Sequence, residues 1–263
     1  MIILLTPSKT QNFVDPVPFV VTESEPVFGD DTQKIVQKVQ KMSIQGLQQL
    51  FGVSRAIAVQ NMERFADFNI QPTKPAVFAF DGDVYDGFES GTLVAKHTAY
   101  IEKNLYILSG LYGVLRAFDL MRAYRMEMHT PLKISGKSLR QLWANPVSDY
   151  LGEIIKNTEQ SWILCLASRE YADVIEQTKL DVPFVTVDFL TMRGGEYKNV
   201  VIYSKIARGA LARFCVEIEA QTVSQVCAFC QYDYRYSHTQ SNATHLVFVR
   251  EAVPTPKAGK RIA

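Results

Sequence analysis

Short runs of continuous apolar residues, each ended by a glycine, a proline or a hydroxyl, set the rhythm of this chain. Ile2 to Leu5, Leu105 to Leu108, Trp162 to Ala167 and Leu246 to Val249 have the length and composition of buried strands, and Phe184 to Phe189 also reads as a strand. Ala76 to Phe80 fits the same pattern and predicts a further strand. Between these runs the period lengthens. Helices are predicted from about residue 31 to Met42, from Ser43 through the segment Leu47 to Ala58, from Thr92 to Lys103, from Ser138 to Leu151 with a break at Asn145-Pro146, and from Arg169 to Gln177 behind a Ser168 cap. Arg193-Gly-Gly-Glu196 reads as a hairpin turn with a return strand from Asn199 to Tyr203. A last helix follows from Ser204, with Lys205, Arg208 and Ala212 on one face and Ile206, Ala210 and Phe214 toward the core. Strands alternating with helices, plus one hairpin, indicate a mixed α/β fold, and 263 residues fit one large domain or two small ones.

The segment Tyr106 to Met128 concentrates the most chemistry. A buried strand breaks at Ser109-Gly110, Gly113 follows, and then come Arg116, Asp119, Arg122, Arg125 and Glu127 among Tyr112, Phe118 and Tyr124. Polar groups just past the C-terminal end of a strand occupy the place where open α/β sheets hold ligands. The same arrangement recurs after other strands, as Ser8/Lys9, Asp81/Asp83/Tyr85 and Ser168/Glu170/Tyr171, and at the start of a helix as Lys205/Arg208. Strands sharing one sheet bring these clusters to one cleft.

Leu47-Gln-Gln-Leu-Phe-Gly-Val-Ser-Arg-Ala-Ile-Ala58 carries a second pattern, two short helices around an apolar-Gly-apolar-small turn. A helix-hairpin-helix of this kind, spanning about 43–68, presents backbone N–H groups at Gly52, Val53 and Ser54 to a DNA phosphate, with Arg55 alongside. The flanks carry glutamine where a strong DNA binder has lysine, and an ordinary helical hairpin uses the same glycine and cap.

Composition narrows the rest. The 263 residues are 47% hydrophobic and 21% charged, with a formal charge of +1, so no global basic field marks a nucleic-acid binder and any such role falls to a local patch. Lys103 to Arg140 and Ser204 to Arg213 are such locally basic stretches. No apolar run approaches the roughly 18 residues that span a membrane, and the first residues have no basic leader, which points to a cytoplasmic protein with reduced thiols. Cys227-Ala-Phe-Cys230 lacks the second pair of a zinc ribbon, the Asp81–Gly87 acids lack the bidentate glutamate of a calcium loop, and no Walker or dinucleotide fingerprint is present. No metal or cofactor is expected.

Leu108-Ser-Gly-Leu-Tyr-Gly-Val-Leu-Arg116, followed by Asp119-Leu-Met and Tyr124-Arg-Met-Glu-Met128, closely resembles the YaaA family of peroxide-stress proteins. Thr6-Pro-Ser-Lys-Thr10, Phe80-Asp-Gly-Asp-Val-Tyr-Asp-Gly87, Leu166-Ala-Ser-Arg-Glu-Tyr171 and Tyr203-Ser-Lys-Ile-Ala-Arg-Gly209 agree in the same order, so the resemblance covers the chain. It implies an α/β fold of unusual topology with a basic cleft. It also implies binding of double-stranded DNA, bent or damaged, with little sequence preference, and a role in limiting oxidative damage. On that basis Gly52, Val53, Ser54, Arg55, Arg116, Arg122, Arg125, Lys205 and Arg208 are the expected DNA contacts. Ser8, Lys9, Asp81, Asp83, Tyr85, Ser109, Gly110, Tyr112 and Asp119 are expected in the cleft. Carboxylates repel DNA, and Asp81 with Asp83 leave open an enzyme acting on a nucleoside or nucleobase in the same cleft.

Overall fold

The computed structural model describes residues 1–158 and 160–251; the loose tail expected from Pro254 lies outside them. Its centre is a mixed sheet of β1 (Ile2–Leu5), β2 (Leu105–Ser109), β3 (Gly113–Arg116), β4 (Ile163–Cys165), β5 (Phe184–Arg193), β6 (Glu196–Asn199), β7 (Arg235–Tyr236) and β8 (His245–Arg250). The order is β7-β8-β5-β4-β1-β2-β3, with β6 paired to β5. β8, β5, β4, β1 and β2 run parallel, while β3, β6 and β7 are antiparallel additions at the edges. All four side chains of β1 are fully buried. That burial follows from its position, because a parallel strand in the middle of a covered sheet meets protein on both faces.

The topology decides where a ligand can sit. From β1 the chain reaches β2 on one side, and after β3 it crosses back to β4 on the other. The register runs Ile3 opposite Leu105 and Leu4 opposite Cys165, so the C-terminal ends of the three strands lie level. A reversal of strand order opens a crevice at the C-terminal ends, and here it falls between β1 and β4.

Helices α1 (Gly29–Gln40), α2 (Ile44–Phe51), α3 (Arg55–Ala66), α4 (Asp83–Phe88), α5 (Thr98–Asn104), α6 (Leu139–Thr158) and α7 (Val201–Glu217) cover the sheet and its connections. Several depart from the pattern-based expectation, each for a physical reason. Ala76–Ala79 is one helical turn, not a strand; its N–H groups at Ala76 and Val77 donate to Asp119 O and Ala117 O, and only Phe80–Asp81 pairs, with Thr10–Gln11. A short apolar run has no period to distinguish the two states. The acidic turn after Phe80 is instead the helix α4, started by Gly82 at φ 103°. α6 runs unbroken through Pro146, because Trp143, Val147, Leu151 and Ile155 bury one stripe whose packing outweighs the roughly 3 kcal/mol proline penalty. The predicted return strand stops at Asn199, and α7 begins at Val201. Its buried face holds Ala207, Ala210, Leu211 and Cys215, with Phe214 half-buried against the core and Phe229, whereas Ile206 lies off that face. The helix after Ser168 is only Arg169–Ala172, and Ser168 makes no side-chain cap.

Two glycines set the closest helix contact. A Cβ on Gly209 of α7 would lie 1.7 Å from Val84 O, and one on Gly87 of α4 would lie 2.0 Å from Ile206 O. Only a pair of glycines lets these two backbones touch, and the touch carries Asp83 and Lys205 to the same place.

Candidate functional site

A cleft of about 620 Å³ opens at the β1/β4 reversal. One wall is the loop Thr6 to Gln11 after β1, a second the extended segment Tyr124 to His129, and a third Ser168 to Tyr171 after β4. Asn199 and the first turns of α7 close it, with Gly82, Asp83 and Val84 at the α4 side.

Hydrogen bonds hold these walls together. The Ser168 N–H donates to Thr6 Oγ1 at 2.6 Å, and Tyr85 Oη donates to Thr6 O at 3.1 Å. Gln11 clamps the second wall twice: its Nε2 donates to Tyr124 O and its Oε1 accepts from the Tyr124 N–H, both at 3.0 Å. The third wall meets the second where the His129 N–H donates to Glu170 Oε1 at 3.1 Å.

The charges in the cleft are mixed. Lys9, Arg125, Lys205 and Arg208 line it together with Asp83, Glu127 and Glu170. Lys9 Nζ contacts Glu127 Oε1 as an ion pair without hydrogen-bond geometry, Lys205 Nζ pairs with Asp83 Oδ2 at 3.2 Å, and Arg208 Nη2 more loosely with Asp188 Oδ1 at 3.9 Å. His129 Nδ1 lies 2.5 Å from Glu170 Oε1. Among the described residues Arg125 has no ion-pair partner. Burial lowers the Arg208 pKa against the pull of Asp188. Lys9 is lowered by desolvation and then by the Arg125 and Lys205 charges, with Glu170 opposing. Two donors remain unspent: Arg208 Nε and the fully buried Ser204 Oγ, one turn apart on α7, have no hydrogen-bond partner. An unpaired buried polar group costs about 1–3 kcal/mol, so a site that retains two has a use for them.

Of the residues expected from sequence, Ser8, Lys9, Asp83, Arg125, Lys205 and Arg208 line this cleft. Others stand behind its walls. Ser109 Oγ lies 2.7 Å from Tyr124 Oη and accepts from the N–H groups of Leu111 and Tyr112, while Tyr112 Oη accepts from the Arg122 N–H at 3.0 Å. These hydroxyls are spent on structure, and burial raises the pKa of Tyr85, Tyr112 and Tyr124. Gly110 serves by its size. A Cβ there would lie 2.6 Å from Met126 O, so the glycine lets the segment carrying Glu127 pass close. Asp119 is fully buried and accepts from Ser24 Oγ, the Arg116 N–H and Arg116 Nε, a lock on the loop before α1. Arg122 lies over the Phe68 ring at 5.8 Å. Asp81 borders a separate hollow of about 320 Å³ and accepts from the Gly82 N–H.

Gly52 to Arg55 lie outside the cleft lining, at the joint of α2 and α3. Gly52 is left-handed at φ 60°, and its N–H donates to Gln48 O, as does that of Val53. Two of the donors expected for a phosphate therefore end the preceding helix, in a C-cap arrangement. Ser54 Oγ caps α3 by accepting from the Ile57 N–H.

His129 and Ser204 entered the cleft without a distinct sequence signal. The available hint is alternation, since Glu127 and His129 two apart on an extended segment face the same side.

Comparison with known proteins agrees with the motif blocks. A family model described as peroxide stress protein YaaA matches residues 1–240. A UPF0246 protein of Polynucleobacter asymbioticus is 37% identical over 255 residues, 95% of this chain and 98% of the relative. A UPF0246 protein of Francisella philomiragia is 32% identical over 255 residues, covering 95% and 100%. Both span the strands and loops that build the cleft, and the chain belongs to the YaaA family of peroxide stress proteins.

Proposed function

We propose that this protein limits oxidative damage by engaging DNA, and that the cleft takes a single phosphate-bearing nucleotide unit, such as one turned out of a bent or damaged duplex. The observation that carries this reading is the set of unspent donors. Arg208 Nε and Ser204 Oγ are unpartnered and Arg125 is unpaired, while Lys9 and Lys205 are already neutralised by Glu127 and Asp83. Two or three free donors suit one phosphate; a long duplex groove needs many free cations. The volume supports the same scale, since about 620 Å³ falls within the ~300–1,000 Å³ of small-molecule sites. Extruding a base costs least where pairing is already damaged, which gives selectivity for lesions without sequence readout. On this reading Arg55 and the α2–α3 joint contact the duplex backbone outside the cleft and position it.

Titration of a nucleoside monophosphate, and of intact and mismatched duplexes, at several salt concentrations tests it. A single phosphate in the cleft predicts a log K–log salt slope of about −1 to −2 for the nucleotide. Arg208→Ala weakens that binding about ten- to hundred-fold, the range expected for a charged hydrogen bond. Arg55→Ala leaves the nucleotide untouched and flattens only the duplex slope, by about one unit. Nucleotide affinity indifferent to Arg208→Ala, beside a steep duplex slope, refutes the single-nucleotide cleft and returns the site to a phosphate groove.

A further inference from the structure

Four ionisable side chains link the three walls of the cleft in a chain of ion-pair contacts: Lys9, Glu127, His129 and Glu170. Glu170 Oε1 holds His129 from both sides, 3.1 Å from its backbone nitrogen and 2.5 Å from Nδ1. That clamp fixes the ring and leaves Nε2 as the corner that exchanges a proton, 3.7 Å from Glu127 Oε2. Glu127, only 17% exposed, turns its other oxygen to Lys9 Nζ, and the Lys9 side chain stands 60% open. We propose that Lys9 is a condensing amine, and that the cleft forms an imine with the aldehyde of a phosphate-bearing sugar.

A lysine meant only to attract an anion gains nothing from a carboxylate on its ammonium. A lysine meant to react needs a base for its proton and an acid for the carbonyl oxygen, and this chain supplies both. Glu127 takes the proton of the Lys9 ammonium. The amine then attacks the aldehyde carbon; the C–N bond forms and the carbonyl pair moves to oxygen, which takes a proton from protonated His129 Nε2. The adduct nitrogen, now a secondary ammonium, returns a proton to His129 Nε2. The neutral carbinolamine then expels its hydroxyl, which leaves as water with the proton held by Glu127 and relayed through His129, while the freed nitrogen pair forms C=N. Ammonium plus aldehyde become iminium plus water, and the relay returns to its starting charge. Arg125 and Lys205 crowd the amine with positive charge and, after desolvation, favour its neutral form. The ligand class rests on the nucleotide-cleft reading, since the unspent donors of α7 would hold the phosphate beside the aldehyde. Two sources share this chemistry: an abasic site in DNA, and a free sugar phosphate.

Reductive trapping tests it. The full chain is mixed with cyanoborohydride and either a duplex carrying one abasic site or ribose 5-phosphate, and adducts are located by peptide mass spectrometry. A single adduct on Lys9 is expected, at least ten-fold above that on the exposed Lys137, and the probe that gives it identifies the source. Lys9→Arg keeps the pairing with Glu127 and abolishes the adduct. Glu127→Gln slows trapping at least ten-fold, provided circular dichroism remains native. No adduct with either probe, equal labelling of Lys9 and Lys137, or trapping undisturbed by Glu127→Gln overturns the proposal. Nucleoside monophosphate binding, measured in the same samples, separates the two claims: adduct without nucleotide binding removes the nucleotide reading alone, and nucleotide binding without adduct removes the imine alone.

Discussion

The cleft and the α2–α3 joint both gather hydrogen-bond donors, yet they are built on opposite terms. At the joint, the Gly52 and Val53 N–H groups are committed to Gln48 O and the Ser54 hydroxyl to the Ile57 N–H, so most of its turn groups are spent on the helix ends. In the cleft, Ser204 Oγ and Arg208 Nε are buried and uncommitted, and the lysines are neutralised in place. A surface whose hydrogen bonds are satisfied positions whatever rests on it, while a cavity with unsatisfied donors discriminates what enters. The same residue types therefore mean different things in the two places. Glycine illustrates it: Gly52 is required for its φ, Gly209 for its missing Cβ.

That contrast can be broken most sharply at Gly209. Gly209→Ala places a methyl 1.7 Å from Val84 O, a backbone atom that cannot swing aside. Overpacking of this kind costs about 3 kcal/mol, read as a lowered urea midpoint. Separation of α4 from α7 also parts Asp83 from Lys205, so nucleotide binding falls with stability. An unchanged midpoint refutes the glycine contact as the hinge of the site.

Gly52→Ala is the matched change at the joint. Nothing lies within 4 Å of the added Cβ, so the cost is the left-handed backbone alone, about 1 kcal/mol. Cleft binding of a nucleoside monophosphate is expected to stay at the wild-type value. A loss there ties the joint to the cleft and ends the division of labour drawn above.

The smallest effect is expected at Asp81. Its carboxylate borders the neighbouring hollow and accepts from the Gly82 N–H at 2.8 Å, a bond the amide oxygen of Asp81→Asn retains. Nucleotide and duplex affinities are expected within two-fold of wild type, roughly the 0.5 kcal/mol scatter of surface substitutions. A dead Asp81→Asn protein moves the chemistry into that hollow and away from Lys9.

Thiol chemistry stands apart from both regions. Burial pushes the Cys165 thiol up to about 11 and raises Cys215 and Cys227 as well, so these three are thiols rather than reactive thiolates at neutral pH. Among the described residues no group of three metal-ligating side chains gathers, and no helix is long and apolar enough to cross a membrane.

Much of the architecture was written in the chain itself. Continuous apolar runs at 2–5 and 105–108 identified two of the parallel strands, because a strand covered on both faces admits no polar alternation. The strand from Phe184 alternates instead, with Thr186 and Asp188 half-buried. The polar clusters after those strands identified Ser8, Lys9 and Ser168 as cleft residues, because a strand end is where backbone stops competing for ligand space. Tertiary structure alone decided the rest. Ser109, Tyr112, Tyr85 and Asp119 have the same residue types as cleft groups and become wall supports, because each found an internal partner across 3 to 95 residues of chain. Whether a hydroxyl or carboxylate serves the fold or a ligand depends on which partners burial brings within 3 Å, and local sequence holds no record of that. His129 is the counterexample in the other direction: a single exposed imidazole with no pattern of its own acquires a role only when Glu170, from the far side of the sheet crossover, closes on its Nδ1.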